Sequence, residues 1–481
     1  AKGGSSVGDN SATGATGGTA SSGSGQIKYN GGNGANGSNG SSNNYGGGGG
    51  SSAGTAAIGN AGSGSAGGTA PDGGGNGGNG ATSNGNGSAG NTPGGGGGGA
   101  RRGKNGSYTG GAGANGQITI TPQITPFWLK ADAGTSTTTD GAGVTSWNDQ
   151  SGSANNGMSP SADGTGYTAS TTNPAYASVL WNFNPGINFT NGYFRLNRGG
   201  IQDDITFFTV YNSTQTSSST SWWLSPAIIG AEAAGTNNDF GLGHNAGILF
   251  FKGINPDPVS GFVQTSTNQN TGAPKIVTAT RKKGASATNY LYVNGTQNGS
   301  KTSDNNSLSD PAYIGIGRNP TQEGSQFTGG ISEAIGKSYL VTTTERYAVE
   351  TYLAVKYGIT LPYDYKRIHA TDSIIYPVAG YGYDIAGLGR NNYYALNQKV
   401  SSSVNVASGS SRIVMATNND FTSSNLNASR VALADGQYLL WGHNNGTTNS
   451  WNSISGKYYK KVSRVWQVRN TGNVGSVYFQ I

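Results

Sequence analysis

Acid–base or nucleophilic chemistry in this chain would have to be built from few groups. The five glutamates are Glu232, Glu323, Glu333, Glu345 and Glu350. Glycoside hydrolysis needs two carboxylates flanking the scissile bond, commonly delivered by one strand as E-x-D-x-E. None of the five is followed two residues later by Asp. His244, His369 and His443 have neither the H-x-x-x-H nor the H-E-x-x-H spacing of a metal site. The absence of cysteine removes thiolate nucleophiles, disulfides and iron–sulfur ligation. The glycine runs lack the Lys-Ser/Thr ending of a phosphate loop, and no serine elbow is followed by Asp and His in hydrolase order. These residues predict a protein that is not an enzyme.

Binding chemistry is better represented. Asp132, Asp140, Asp149, Asp203, Asp204 and Asp239 fall in segments that read as loops, where hard cations find oxygen ligands. Asp203 and Asp204 are the candidates for one calcium ion, against the competing reading of turn-forming aspartates. Trp222-Trp223 follows a Ser/Thr-rich stretch, and adjacent residues on a strand face opposite sides. One indole could then fill the core while the other stacks on a sugar ring; core packing of both, or a contact to the neighbouring domain, is the favoured reading. Tyr193, Asn237, Asn238, Asp239 and His244 are the candidates for the polar part of such a site.

Three segments must position these residues. Residues 1–120 hold 45 of the 85 glycines and only eight large apolar side chains, too few for a conventional core. Either this head is a flexible Gly/Ser linker, or it is a polyglycine II bundle whose extended chains bond to one another. Residues 121–361 carry short strand-like runs, among them Phe127–Leu129, Ile187–Phe189, Ile205–Tyr211, Ile276–Ala279, Tyr290–Val293 and Tyr313–Gly317. Asn294-Gly295 marks a tight hairpin, and the series predicts an antiparallel β-sandwich. Thr342 and Glu345 have capping-box spacing, Arg346 and Glu350 can pair one turn apart, and Gly358 stands where a helix ends. A short amphipathic helix is expected between them. Residues 362–481 return to strands and predict a second β module acting as a spacer. Its last residues, 477–481, alternate like a strand without its partner, so a longer parent protein is expected.

The net charge of +7 is concentrated in Arg101-Arg102-Gly103-Lys104 and Arg281-Lys282-Lys283. Two separated clusters do not make the continuous basic, aromatic-interleaved groove that nucleic acid needs, so solvated loop charges are expected. No apolar run approaches the length of a membrane span.

Trp147-Asn148-Asp149-Gln150-Ser151-Gly152 resembles the W-x-D-x-S-G signature of concanavalin A-like (laminin-G-like) sandwiches. So does Gly186-Ile187-Asn188-Phe189 before Tyr193. The stretch Glu345-Arg346 through Glu350, Tyr352-Leu353-Ala354 and Lys356-Tyr357-Gly358-Ile359 is similar to secreted surface proteins of Bacteroidota, including gliding-motility adhesins exported by the type IX secretion system. Asp384–Arg390, Leu396–Lys399 and Leu439–His443 resemble the β domain that follows the sandwich in those proteins. The resemblance implies an all-β chain with a glycine-rich head (1–120), a concanavalin A-like jelly roll with closing helix (121–361) and a β-sandwich-like module (362–481). It further implies an extracellular, cell-surface adhesin that meets polysaccharide or a solid surface, with the secretion or gliding machinery as partner through the rest of the parent chain. A polysaccharide-binding module of a larger secreted enzyme is the alternative. The head also resembles the glycine-rich domains of phage tail-fibre adhesins, which implies a third reading, a receptor-binding tip.

Overall fold

The computed structural model describes residues 13–22, 29–39, 44–54, 57–102, 106–116, 125–160, 169–170, 172–232, 235, 238–253, 262–309, 312–367, 373–405, 413–448, 451–453, 455 and 460–481. The chain divides into two compact units, Ala1–Pro122 and Gln123–Ile481.

In the first unit, extended segments send their backbone hydrogen bonds to neighbours at three-residue steps. Gly46, Gly49 and Ser52 donate to Ala81, Gly78 and Gly75, an antiparallel pairing. Gly75, Gly78 and Ala81 donate in turn to Pro93, Gly96 and Gly99, a parallel one, and Gly96 and Gly99 donate back to Gly50 and Gly47. These eight bonds measure 2.7–3.1 Å. A three-residue turn with every bond leaving its own segment is polyglycine II geometry, so the head is an ordered bundle within its described residues. Glycine is obligatory at the contacts: a Cβ on Gly80 would fall on the Gly46 carbonyl, and one on Gly48 on that of Ala66. At some steps an asparagine side chain, in place of a backbone carbonyl, supplies the acceptor. Asn30, Asn33 and Asn36 take the backbone N–H groups of Ala20, Gly17 and Gly14 at 2.5, 2.8 and 2.7 Å. Asn76 and Asn79 do the same for Ala70 and Gly67.

The second unit is a sandwich of two eight-stranded antiparallel sheets followed by a helix and a smaller β layer. The first sheet runs Val263–Gln264, Ile248–Lys252, Phe240–Asn245, Ala227–Ala231, Tyr313–Ile316, Phe194–Asn197, Gly157–Met158, Ser146–Trp147. The second runs Thr296–Thr302, Thr288–Val293, Lys275–Arg281, Ile205–Asn212, Gly329–Lys337, Asn184–Phe189, Ala175–Trp181, with Phe127–Lys130 paired to Gly329–Lys337. Between the sheets lies a core including Phe127, Trp147, Phe189, Phe194, Phe207, Phe240 and Phe251. The expected Asn294-Gly295 turn joins two strands of the second sheet, with φ of 48° and 79°. The Trp147–Gly152 motif is a structural staple: the Asp149 carboxylate accepts from the backbone N–H groups of Trp128 and Ser151 and from the Ser151 hydroxyl, at 2.7–2.9 Å.

The helix spans Thr343–Tyr357. Thr342 caps it by accepting from the Glu345 N–H, Gly358 ends it in the left-handed conformation, and Arg346 pairs with Glu350 at 2.8 Å. The Glu345 carboxylate turns away from the cap to take the Tyr339 hydroxyl at 2.6 Å. The helix is buried on nearly all sides. Val349, Leu353 and Tyr357 share one core with Phe208, Val210 and Ile276 of the second sheet and with Tyr365, Ile385, Leu396 and Leu440 beyond the helix. Those last residues belong to the C-terminal layer, which holds a four-stranded sheet (Leu396–Gln398, Tyr383–Asn391, Tyr438–His443, Trp466–Thr471), a three-stranded one (Val400–Ser401, Val414–Ala416, Tyr478–Gln480) and the pair Tyr365–Lys366 with Ile374–Tyr376. A third core around Leu388, Met415, Leu439 and Trp441 lies within that layer.

Candidate functional site

A row of glycines shapes the outer face of the first sheet. Cross-strand register places Arg195, Gly315, Gly230, Gly241 and Lys252 side by side over five strands. The three missing side chains leave a trough, and two loops are inset into it. Trp222 lies over Gly241, Asn319 over Gly230, and the Arg318 carbonyl with Pro320 over Gly315. The Asn319 amide donates to the Trp223 carbonyl at 2.9 Å and so ties the two loops together. Beneath them Trp222 packs on Phe250 and Phe262, with the Lys252 ammonium 4.8 Å from its ring centroid. At the surface this leaves Trp223 half-buried, Leu224 40% exposed, and Glu323 and Gly324 exposed beside them.

The two tryptophans occupy a 3-10 turn, Trp222–Leu224, and not a strand that would turn them to opposite faces. Both pack on one cluster, Trp222 within it and Trp223 against its edge. Three of the polar candidates, Tyr193, Asp239 and His244, are buried. Tyr193 is fully buried, stacked under the Arg318 guanidinium at 4.0 Å. Asp239 is buried as the ion-pair partner of Lys252. His244 lies on the Phe240–Asn245 strand, completely buried; its Nε2 meets Gln215 Oε1 at 3.2 Å, and burial lowers its pKa to about 4. Asn237 and His369 lie outside the described residues, whereas Asn238 is within them. The structure therefore keeps Trp223 at the surface and gives Tyr193, Asp239 and His244 to the interior.

The calcium candidates are claimed by lysines. Asp203 accepts from the Ser307 hydroxyl at 2.7 Å and Lys283 Nζ at 3.1 Å. Asp204 takes Lys282 Nζ at 2.6 Å and the Lys283 N–H at 2.9 Å. The same contacts correct the picture of Arg281-Lys282-Lys283 as purely solvated charge, because Arg281 is buried and pairs with Asp304 at 2.7 Å. Among the described residues no three His, Asp or Glu side chains gather as a metal site.

A buried polar cluster lies under the helix. Glu333, on the Gly329–Lys337 strand, receives the Tyr352 hydroxyl at 2.7 Å, the Tyr357 hydroxyl at 2.8 Å and Lys356 Nζ at 2.9 Å. Lys356 also reaches Asp132 at 2.9 Å. Glu333 and Asp132 are far apart in the chain, so sequence spacing gives no sign that they share a site. The signal was the Tyr352, Lys356, Tyr357 pattern, one helical face bearing three polar groups.

A family model described as a domain of unknown function, DUF8202, matches residues 345–481, beginning inside the helix. No curated protein matches the chain. Among solved structures, it is similar to domain 4 of AbnA, a GH43 extracellular arabinanase from Geobacillus stearothermophilus in complex with arabinotriose. That likeness is 14% identical, covers 46% of this chain and 95% of the other, and has a TM-score of 0.32. The botulinum neurotoxin serotype D binding domain is 13% identical over 74% of this chain and 80% of its own, with a TM-score of 0.36. A heptameric SAP-like pentraxin from Limulus polyphemus is 13% identical over 31% and 71%, with a TM-score of 0.25.

Proposed function

We propose that this chain is a non-catalytic attachment protein whose jelly roll meets polysaccharide or a solid surface through the Trp223–Leu224 turn. The observation that carries this reading is the mounting of that turn. A glycine trough, a buried Trp222 and the Asn319 amide hold an aromatic and an aliphatic side chain rigidly at the surface. A preorganised apolar platform with polar neighbours suits the C–H face of a sugar ring. The glutamates support the non-catalytic part by their employment: the Glu232 carboxylate takes the Thr321 hydroxyl, and Glu333, Glu345 and Glu350 hold the helix. In its finer form the proposal is a cell-surface adhesin of the gliding-motility type, reached by type IX secretion. Its support is the closing-helix motif, whose spacing matches that family. Binding of the full chain to a polysaccharide panel and to glass tests it, with a chelator arm for calcium. Trp223→Ala should weaken binding about tenfold, the worth of one well-packed aromatic contact. Unchanged binding in Trp223→Ala and in Leu224→Ser would rule out this turn as the contact.

The ordered glycine bundle favours a second reading, a phage-type receptor-binding tip. Trimeric assembly in solution and capture of an outer-membrane protein by residues 1–122 would decide for it.

A further inference from the structure

Lys356, Asp132 and Glu333 form a closed triad in a dry site. The Lys356 ammonium is 2.9 Å from Asp132 Oδ1 on one side and 2.9 Å from Glu333 Oε2 on the other, with its third direction to the Tyr352 hydroxyl at 3.1 Å. Lys356 and Glu333 side chains are 3% and 1% exposed, that of Asp132 13%. Trp128, Tyr352 and Tyr357 wall the site, Trp128 edge-on to Tyr352 at 6.0 Å. An amine, a carboxyl carbon and a proton carrier held in contact away from water satisfy the requirements of amide formation.

The geometry points to an intramolecular isopeptide bond between Lys356 Nζ and Asp132 Cγ, formed by the folded chain itself with Glu333 as proton carrier. Glu333 Oε2 takes a proton from the ammonium, and the freed amine attacks Asp132 Cγ. The C–Oδ bond then breaks as Glu333 returns that proton to the departing oxygen. The second nitrogen proton follows the same route. An ammonium and a carboxylate become one amide and one water, Glu333 ends as it began, and no oxidant or other reactant is consumed. Burial favours the product, because a desolvated ion pair is replaced by a neutral amide. Lys130, 3.7 Å from Asp132, remains to balance the Glu333 charge. Tyr352 and Tyr357 act as positioning residues, fixing both Glu333 oxygens.

The bond would join the segment that opens the sandwich, Phe127–Lys130 and its following turn, to the last turn of the helix that closes it. Asp132 and Lys356 are separated by 224 residues in sequence. Tension applied to the chain on either side would bypass the whole sandwich through one covalent link. This inference is independent of what the surface binds.

Mass spectrometry of the purified full chain tests it. The expected intact mass is one water below that of the sequence. Trypsin should release a branched species in which residues 131–195 are joined to residues 347–366, with no cleavage after Lys356. Fragmentation must place the link, since Asp-Gly and Asn-Gly sites can also lose water or ammonia. Lys356→Arg and Glu333→Gln should lose the branched species entirely. Asp132→Asn should give a product of the same mass as the linked wild type, by releasing ammonia in place of water. An unshifted intact mass with separate linear peptides from the folded wild-type chain overturns the proposal, whatever the variants do. A linked Glu333→Gln chain would overturn the role given to Glu333.

Discussion

His244 is wholly buried on the Phe240–Asn245 strand, and burial lowers its pKa from 6.5 to about 4. Because Gln215 Oε1 is an acceptor that already takes the Thr328 N–H, the imidazole carries its proton on Nε2 and stays neutral. Above pH 6.5 both folded and unfolded states hold a neutral ring. As pH falls from about 6.5 towards 4 the unfolded chain binds a proton that the folded one refuses, and stability is lost. The loss amounts to about 3 kcal/mol across that window. Urea unfolding followed by tryptophan fluorescence reads the second unit alone, since all eight tryptophans follow residue 122. His244→Gln should flatten the stability profile between these pH values; an unaltered slope would show that other groups carry it. At this scale the sequence was legible only where partners are close along the chain. Arg346 and Glu350, four apart on a helix, pair as their spacing requires, and Thr342 caps as expected. Tyr193, Asp239 and His244 read as loop groups because their polarity was visible and their burial was not. Burial comes largely from groups far away in sequence, such as Arg318, which covers the Tyr193 ring.

Elements rich in large side chains were recognisable, and some of those rich in glycine were not. Ile205–Asn212 and Lys275–Arg281 show their apolar content directly, whereas Phe240–Asn245, read as F-G-L-G-H-N, resembles a loop. Its glycines are there because Trp222 and Phe250 must lie against them. The same logic makes the head an element in its own right. Its composition left linker and bundle equally open, since composition does not reveal whether carbonyls meet N–H groups across segments. A consequence is a sharp positional dependence on glycine. Gly80→Ala places a methyl group on the Gly46 carbonyl, while Gly116→Ala meets nothing within 4 Å. The first should cost about 1–3 kcal/mol through overpacking and backbone displacement. Hydrogen exchange should then accelerate at Gly46, Gly49, Gly78 and Gly96, whose N–H groups bridge the packed segments, with Gly116→Ala indistinguishable from wild type. Equal exchange in both variants would mean that the segments do not pack as three-residue helices in solution.

Of the apolar cores in the second unit, the one around the helix does not respect a boundary at residue 361. The helix was expected to close the jelly roll, with a separate spacer following. Instead its second face is covered by Tyr365, Tyr376, Ile385, Tyr394, Leu396, Tyr438 and Leu440, all from the segment after residue 361. The matched family model also begins within the helix and runs on to residue 481, so the helix is shared between the two layers. A weak helical periodicity hid this. Fifteen residues buried on two faces carry apolar and ion-paired side chains all round, and Glu350 is buried against Arg346, Thr278 and Tyr363 together. Removing the C-terminal layer would expose seven large side-chain contacts and the buried Glu350 pocket to water. At about 25 cal/mol per Å² of apolar surface, losing that cover removes a substantial share of the roughly 5–15 kcal/mol by which domains are stable. A chain ended at residue 361 should therefore melt at least ten degrees below the 123–481 fragment, by the usual scaling of stability with melting temperature. It should also bind an apolar dye that the longer fragment does not. Scanning calorimetry with dye fluorescence checks this. Equal melting temperatures and no dye binding would make the helix a simple cap on the sandwich, with the layer beyond it an independent module.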